Sequence, residues 1–493
     1  MFIRAIDQVI CKFLCFIFGI LLVLSLFIKA MYSFGDFPYF TRTTWMDLLA
    51  CIICLLFYYL IYRFAGKIEK IHTAFLWVSF GAIALVYIIL VPLTPFSDMF
   101  YVDYGAKLIG DGNTNEILGN AYLQMISKNL KVAFFYGLFL QFLPATTFSI
   151  KCINILCYLV TIHFISKISE NLRYKYPKNV FILGGTFLPI LMYCNHVYFD
   201  LPTLCFCILG VYFYTRHDRK LLIAALFLGI ACCLRVLAYL FVIAILFDFL
   251  FRNYKVLLEN HCRKLFSLLL STLIIASIPI LVNDYVNRTY RTEEAQNESI
   301  WTLFCMGINE EEFGFMHNEI LNGEKSFQDF SHLLLSRDIT QNTKLFSRKI
   351  FWTWSQGTYQ AERYGFGNNV TVYSEKFEYE TVATKYLMND GQILRKAVNA
   401  MCRAEYLFLF GFMIVELWHL DAAGRDRFRI FYYLLFGTFL ILIFYEMKSR
   451  YVFSCIPAML LLAARGGENL PIKRMRLRER EENGTEESLT DLP

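Results

Sequence analysis

"VPLTPFSDMFYVDYGAKLIGDG", residues 91–112, is the stretch on which the fold turns. It closes an uncharged run from Thr73 to Ser97. That run is long enough for the roughly 20 apolar residues that a helix needs to cross a bilayer. Two carboxylates then arrive five residues apart, Asp98 and Asp103. Acids at the mouth of a membrane helix need an explanation, and the membrane has to be located first.

The composition points the same way. Of the 493 residues, 57% are apolar, 17% aromatic and only 18% charged, against about 25% charge in a soluble chain. The net charge of +6 sits in short inter-helix loops and the tail rather than on one patch. This excludes a nucleic-acid footprint and matches the positive-inside pattern instead. Of the 15 cysteines, most lie inside apolar runs, where they act as small hydrophobes. No disulfide framework and no paired CxxC motif stands out. The pair Cys51 and Cys54 falls in an apolar helix, so packing is its expected role rather than zinc. The first thirty residues have the basic start and apolar core of a signal sequence. They lack a clear small-residue cleavage site and are read as an uncleaved first helix.

Twelve spans are expected, near residues 13–30, 46–64, 72–93, 150–168, 179–196, 200–215, 221–234, 237–251, 265–283, 405–420, 430–447 and 451–465. The fold class is thus an all-α polytopic membrane bundle. Basic segments set the sides: Arg4 and Lys12, Arg63 to Lys70, "YTRHDRK" (214–220), "FRNYKVLLENHCRK" (251–264), "GRDRFR" (424–429) and the tail. With these in the cytoplasm, Asp98, "NHVYFDLP" (195–202), Arg235, the loop 284–404 and "EMKSRY" (446–451) face outward. Residues 94–130 are then outside and "SENLRYKYPKN" (169–179) inside. One crossing at 150–168 leaves the apolar piece 131–147 at the outer surface or re-entrant. The chain divides into two N-terminal spans (1–71) and a core (72–283) with a first outer loop (94–149). An outer subdomain or lid (284–404), the last spans (405–465) and a charged, disordered cytoplasmic tail (466–493) follow.

Ionisable groups at a membrane boundary are costly and so are functional candidates. Asp98 reads either as a helix N-cap or as a base for an incoming hydroxyl. Asp103 has an ordinary partner in Lys107 at i+4. His196, Tyr198 and Asp200 read as a polar turn ended by Pro202, or as the rim of a headgroup site. Arg235 is the only charge between Lys220 and Asp248. It either snorkels or supplies a fixed guanidinium to a phosphate. Glu446 and Arg450 read as a structural i,i+4 pair, or, with Lys448 and Tyr451, as one wall of a lipid-phosphate site. In the long loop, Glu310, Glu311 and Glu312 leave a divalent cation open, although none is expected. Trp352 and Trp354 are placed at the interface or against a sugar ring. "NRT", "NES" and "NVT" match the N-glycosylation pattern.

Taken in order, "PFSDMFYVDYGAKLIGDG", "VYFDLP", "CLRVLAY", "MGINEEEFG", "FWTW" and "EMKSRYVFSCIP" resemble bacterial membrane glycosyltransferases of the GT-C class. They are similar to the protein O-mannosyltransferase and lipid A aminoarabinose transferase families, in the Gram-positive envelope-polymer form. The resemblance spans about residues 72–465. The helices before residue 72 and the charged tail depart from it.

It implies inverting transfer of a sugar from a polyprenyl-phosphate donor to a cell-envelope acceptor at the outer face of the plasma membrane. Asp98 would be the catalytic base. Arg235, Arg450 and Lys448 would bind the donor phosphate, and Asp103, Tyr198, Asp200, Glu446 and Tyr451 would line the sugar or acceptor pocket. No cofactor is implied. Two alternatives stay open: an envelope polysaccharide polymerase using a pyrophosphate-linked donor, and a transporter of lipid-linked sugars. The Asp98 loop favours the transferase over the first. The second calls for pseudo-symmetric halves, which the sequence does not display.

Overall fold

The computed structural model describes residues 2–32, 38–216, 220–258, 262–291, 299–309, 314, 325–366, 376–388 and 392–469. Glu310, Glu311 and Glu312, the "NVT" motif, most of "NES" and the tail from residue 470 lie outside the described residues.

The chain is almost wholly helical. Among the described residues, eight helices are long and apolar enough to cross a membrane: Ile3–Phe27, Trp45–Arg63, Thr73–Leu90, Thr147–Asn171, Val236–Tyr254, Lys264–Tyr290, Ile393–His419 and Ala422–Phe444. A helix satisfies its own backbone polar groups, which lipid cannot do for it. The side chains agree. In Trp45–Arg63, Ala50, Cys54, Tyr58 and Ile61 are buried at helical spacing, while Leu48, Ile52, Leu55 and Leu56 point outward. A helix apolar on both faces suits a lipid-facing position.

The other four expected spans are shorter or broken. Asp200–Thr215 and Leu221–Leu234 are short apolar helices. The last is a tight turn, Ser449–Cys455, running into Ile456–Asn469. The segment at 179–196 divides into Pro177–Thr186, Leu188–Met192 and a turn at Tyr193–Asn195. Pro189 causes the break, because it has no N–H for the carbonyl four residues earlier. That carbonyl, on Gly185, accepts instead from the Tyr158 hydroxyl at 2.6 Å. The Leu188 N–H donates to Glu405 Oε2 at 2.9 Å.

Two features depart from the sequence reading. The first helix runs Phe2–Phe27 rather than starting near 13, and a β-hairpin follows it, Ile28–Tyr32 against Pro38–Arg42. The early start is possible because Asp7 is not left bare. The Arg429 guanidinium clasps it at 2.8 Å, and both are buried. The hairpin is tied down by Lys29 on Asp47 (2.8 Å) and by Arg403 on the Thr43 hydroxyl (3.0 Å).

Cross-chain contacts sort the turns into two ends. Lys178 donates to the carbonyls of Glu69 and Ile71 at 2.6 and 2.7 Å. Arg427 reaches the Leu172 carbonyl at 3.3 Å, Arg252 the Asp426 carbonyl, and Tyr214 the Asp248 carboxylate. The basic turns therefore share one end. At the other, Lys151 Nζ donates to the Leu93 carbonyl at 2.7 Å and Asn195 to that of Val91 at 2.9 Å. Lys151 thus sits at the same end of the bundle as the exit of Thr73–Leu90, so the chain between them begins and ends at that one end.

That piece belongs to a helix, Ser127–Leu140, laid beside Asp98–Gly110. A Cβ on Gly105 would stand 3.1 Å from Ala133, one on Gly110 2.7 Å from Leu140, and one on Gly137 2.5 Å from Ile109. The pairings rise together in number, so the two helices run the same way. Small residues allow their backbones to approach closely.

Candidate functional site

Asp98 opens its helix, and the residue before it, Ser97, takes a left-handed φ of +52°. No side-chain cap bond forms at Ser97. The Asp98 carboxylate is not spent on capping. One oxygen accepts from the Tyr122 hydroxyl and the other lies 3.1 Å from the Tyr198 hydroxyl. Tyr198 is also 2.7 Å from Asn129 Oδ1, and Asn129 Nδ2 donates to the Tyr122 oxygen at 3.2 Å. Tyr198 has one proton for two acceptors. Burial pushes the Asp98 carboxyl up, but the Tyr122 hydrogen bond and the cations Arg450, Lys128 and Lys448 outweigh it. The group is held below its ordinary value and stays ionised.

The facing wall is the turn 446–451. Lys448 has an extended backbone, φ −144°, so the helical i,i+4 pairing expected of Glu446 with Arg450 does not form. Glu446 is held instead by Lys448 at 2.5 Å and by the Tyr451 hydroxyl. Burial draws the Lys448 amine down, with Arg450 and Lys128 adding to that pull and Glu446 opposing it. Arg450 lies over the Tyr198 ring at 5.5 Å and the Tyr451 ring at 5.8 Å. Arg235 lies over Phe199 at 5.0 Å and over Tyr451 at 5.3 Å. Both guanidiniums therefore share one aromatic wall.

Most of the expected residues meet here: Asp98, Tyr198, Asp200, Arg235, Glu446, Lys448, Arg450 and Tyr451. Two change their part. Arg235 is bonded to Asp200, both buried, and His196 Nδ1 stands 3.4 Å from the same carboxylate. Its charge is already matched, as that of Lys448 is by Glu446, and the cations that act on the Asp98 carboxylate are Arg450, Lys128 and Lys448. Asp103 stands apart, bound by Lys107 at 2.6 Å, while Lys107 also reaches the Thr147 hydroxyl at 2.8 Å. Five positions along a helix turn a side chain about 140°, so Asp98 and Asp103 leave on different faces.

Sequence reasoning missed Tyr122, Asn129, Lys128 and Phe199. Phe199 was legible as the neighbour of Tyr198. The other three sit in the helices Ala121–Met125 and Ser127–Leu140, within the expected first outer loop, and carry no motif. Trp352 and Trp354 do not offer rings to a sugar. Both are buried, Trp352 beside Met447 and Ala30, and Trp354 against Phe18 and Phe439. Among the described residues no three His, Cys, Asp or Glu side chains gather as a metal site. No protein-family model, curated protein or solved structure matches the chain.

Proposed function

We propose that the chain is an integral membrane glycosyltransferase. It moves a sugar from a polyprenyl-phosphate donor to an envelope polymer or another acceptor at the outer face. In this reading the short and broken segments complete a bundle of about twelve crossings, with the C-terminus cytoplasmic. The observation that carries the proposal is an ionised carboxylate, Asp98, held by two tyrosine hydroxyls and facing Lys448 and Arg450 across an aromatic wall. A base opposite fixed cations, with rings between them, suits displacement of a phosphate from a sugar.

Asp98 takes the proton of the acceptor hydroxyl as that oxygen attacks the anomeric carbon. The bond from that carbon to the phosphate oxygen breaks on the opposite face, which inverts the centre. The electron pair leaves with the polyprenyl phosphate. Lys448 and Arg450, with Lys128 nearby, stabilise the charge that develops there, usually the largest catalytic contribution. Tyr198 and Tyr451 form the ring surface between base and cations.

The test is reconstitution of the purified chain in liposomes with a radiolabelled polyprenyl-monophosphate sugar and an envelope fraction as acceptor. Transfer of label by the wild-type chain and its loss in Asp98→Asn support the reading. No donor cleavage at all, or cleavage of a pyrophosphate-linked oligosaccharide alone, overturns it; the second result favours the polymerase.

A further inference from the structure

The motif "FWTWSQGTYQ", residues 351–360, has no part in the site as described, yet it is built with unusual backbone. Gly357, Tyr359 and Gln360 all have left-handed φ, +75°, +53° and +61°. Non-glycine residues in that region are strained and persist only where their surroundings over-determine them. Here the surroundings do. Gln356, Tyr359 and Gln360 are buried. The Gln360 N–H donates to Gln356 Oε1 at 2.8 Å, and the Tyr359 carbonyl accepts from the Tyr193 hydroxyl at 2.7 Å. A side chain added at Gly357 would meet the Arg403 backbone at 3.3 Å.

The loop's outward bonds lead to both walls of the site. Gln356 Oε1 also accepts from the Ser449 hydroxyl, and Gln356 Nε2 donates to Glu362. Because the Gln360 N–H is an obligate donor, the amide orientation is fixed by chemistry. Ser449 is fully buried and stands between Lys448 and Arg450. On the other side, Tyr193 stacks on Phe453 at 4.0 Å and begins the turn that carries Tyr198 and Asp200. In the short helix that follows, Ala361–Phe366, the Gly365 carbonyl accepts from the Tyr87 hydroxyl at 2.8 Å, near the helix end that leads to Asp98. The strained loop thus touches the cationic turn and the segment before Tyr198, and the helix after it touches the span before the carboxylate.

We infer that Gln356 is a positioning residue: through Ser449 it holds Lys448 and Arg450 at the distance from Asp98 at which a donor phosphate is bound. This rests on the functional reading above and adds the loop that sets the geometry. Gln356 itself touches no substrate.

The experiment measures binding of a polyprenyl monophosphate to the purified full chain, together with thermal unfolding and the KM for donor and for acceptor. The variants are Ser449→Ala, Gln356→Met and the double change. Ser449→Ala is the mild one, since the Gln356 to Gln360 bond survives it. Each single change should weaken lipid-phosphate binding about tenfold and raise the donor KM without moving the acceptor KM. The double variant should be no weaker than the worse single, because both remove one link. Ser449→Thr, which keeps the hydroxyl, should recover most of the affinity. Singles that bind as the wild type does, losses that multiply in the double, or equal effects on both KM values overturn the positioning role and leave the functional reading standing. A wild-type chain that binds no polyprenyl monophosphate brings down the functional reading, and the inference with it.

Discussion

Asp98 and Tyr198 lie 100 positions apart in the chain and meet with 3.1 Å between carboxylate and phenol oxygens. Tyr198 holds a second acceptor in reserve, Asn129 at 2.7 Å. Replacing Asp98 by Asn is therefore structurally gentle. The new amide oxygen still accepts from Tyr122, and Tyr198 turns its proton to Asn129. Transfer should fall by about 10²–10⁴-fold, the usual contribution of a general base. The unfolding free energy should fall by no more than about 3 kcal/mol, the worth of a hydrogen bond to a charged group, and the chain should stay folded. Steady-state transfer and thermal unfolding on one preparation check both halves. Full activity would remove Asp98 from the mechanism.

The pH dependence follows from the downward shift of the Asp98 carboxyl, set by burial opposed by Tyr122, Arg450, Lys128 and Lys448. A base must be unprotonated to work. Its acid limb in kcat/KM should lie below the ordinary carboxylate value of about 4. The sign for stability is the same. A depressed folded-state value contributes stability above the unfolded value, and that contribution is lost as the pH falls through the folded one. Tyr122→Phe removes a hydrogen bond that favours the charged form and should move the limb upward. A limb near neutral pH in the wild-type protein would point to another base.

Arg235 should behave as part of a buried pair. Arg235→Ala strands the Asp200 carboxylate, which breaking a buried pair makes worth about 3–5 kcal/mol of stability. The double change Arg235→Met with Asp200→Leu should restore the melting temperature to near that of the wild type. Arg450→Ala should instead weaken the donor at least tenfold. A single Arg235→Ala that melts normally but loses donor affinity would return that residue to the phosphate.

Gly137→Ala places a Cβ 2.5 Å from Ile109 Cγ2 and 3.2 Å from the Ala106 carbonyl. Overpacking of this kind costs about 1–3 kcal/mol. Adding Ile109→Ala should not restore stability, because the Ile109 Cβ, 2.6 Å from the new methyl, stays in place. Unfolding of the single and double variants by tryptophan fluorescence decides the matter.

Sidedness can be read chemically. Thr146 and Ala423 are exposed, at opposite ends of the bundle. Thr146→Cys should react with a membrane-impermeant maleimide in intact cells, and Ala423→Cys only after permeabilisation. The reverse pattern would invert the proposed topology.

The eight long apolar helices were legible because a bilayer imposes a length and a hydropathy on a crossing helix. Asp98, Arg235, Lys448 and Arg450 were legible because a charge at a membrane boundary has few reasons to exist. The Asp200–Arg235 bond was not. Nothing local distinguishes a guanidinium awaiting a phosphate from one already matched by a carboxylate 35 residues away. The break after Thr186 was foreshadowed by Pro189, but the bonds that repair it come from Tyr158 and Glu405, on other helices. Tyr122 and Asn129 gain meaning only once the Asp98 helix is folded against the next. The hairpin after Phe27 was hidden by its apolar residues, which extend the helical pattern.

The clasp of Arg429 on Asp7 spans 422 positions. The helix Phe2–Phe27 carries an acid whose partner, on Ala422–Phe444, is synthesised long after it. Until that arginine is made, Asp7 has no guanidinium to match it, so this helix is expected to take its final place late. A chain cut short before Arg429 keeps the packing of this helix on Ile393–His419 but leaves a buried carboxylate with no cation to hold it.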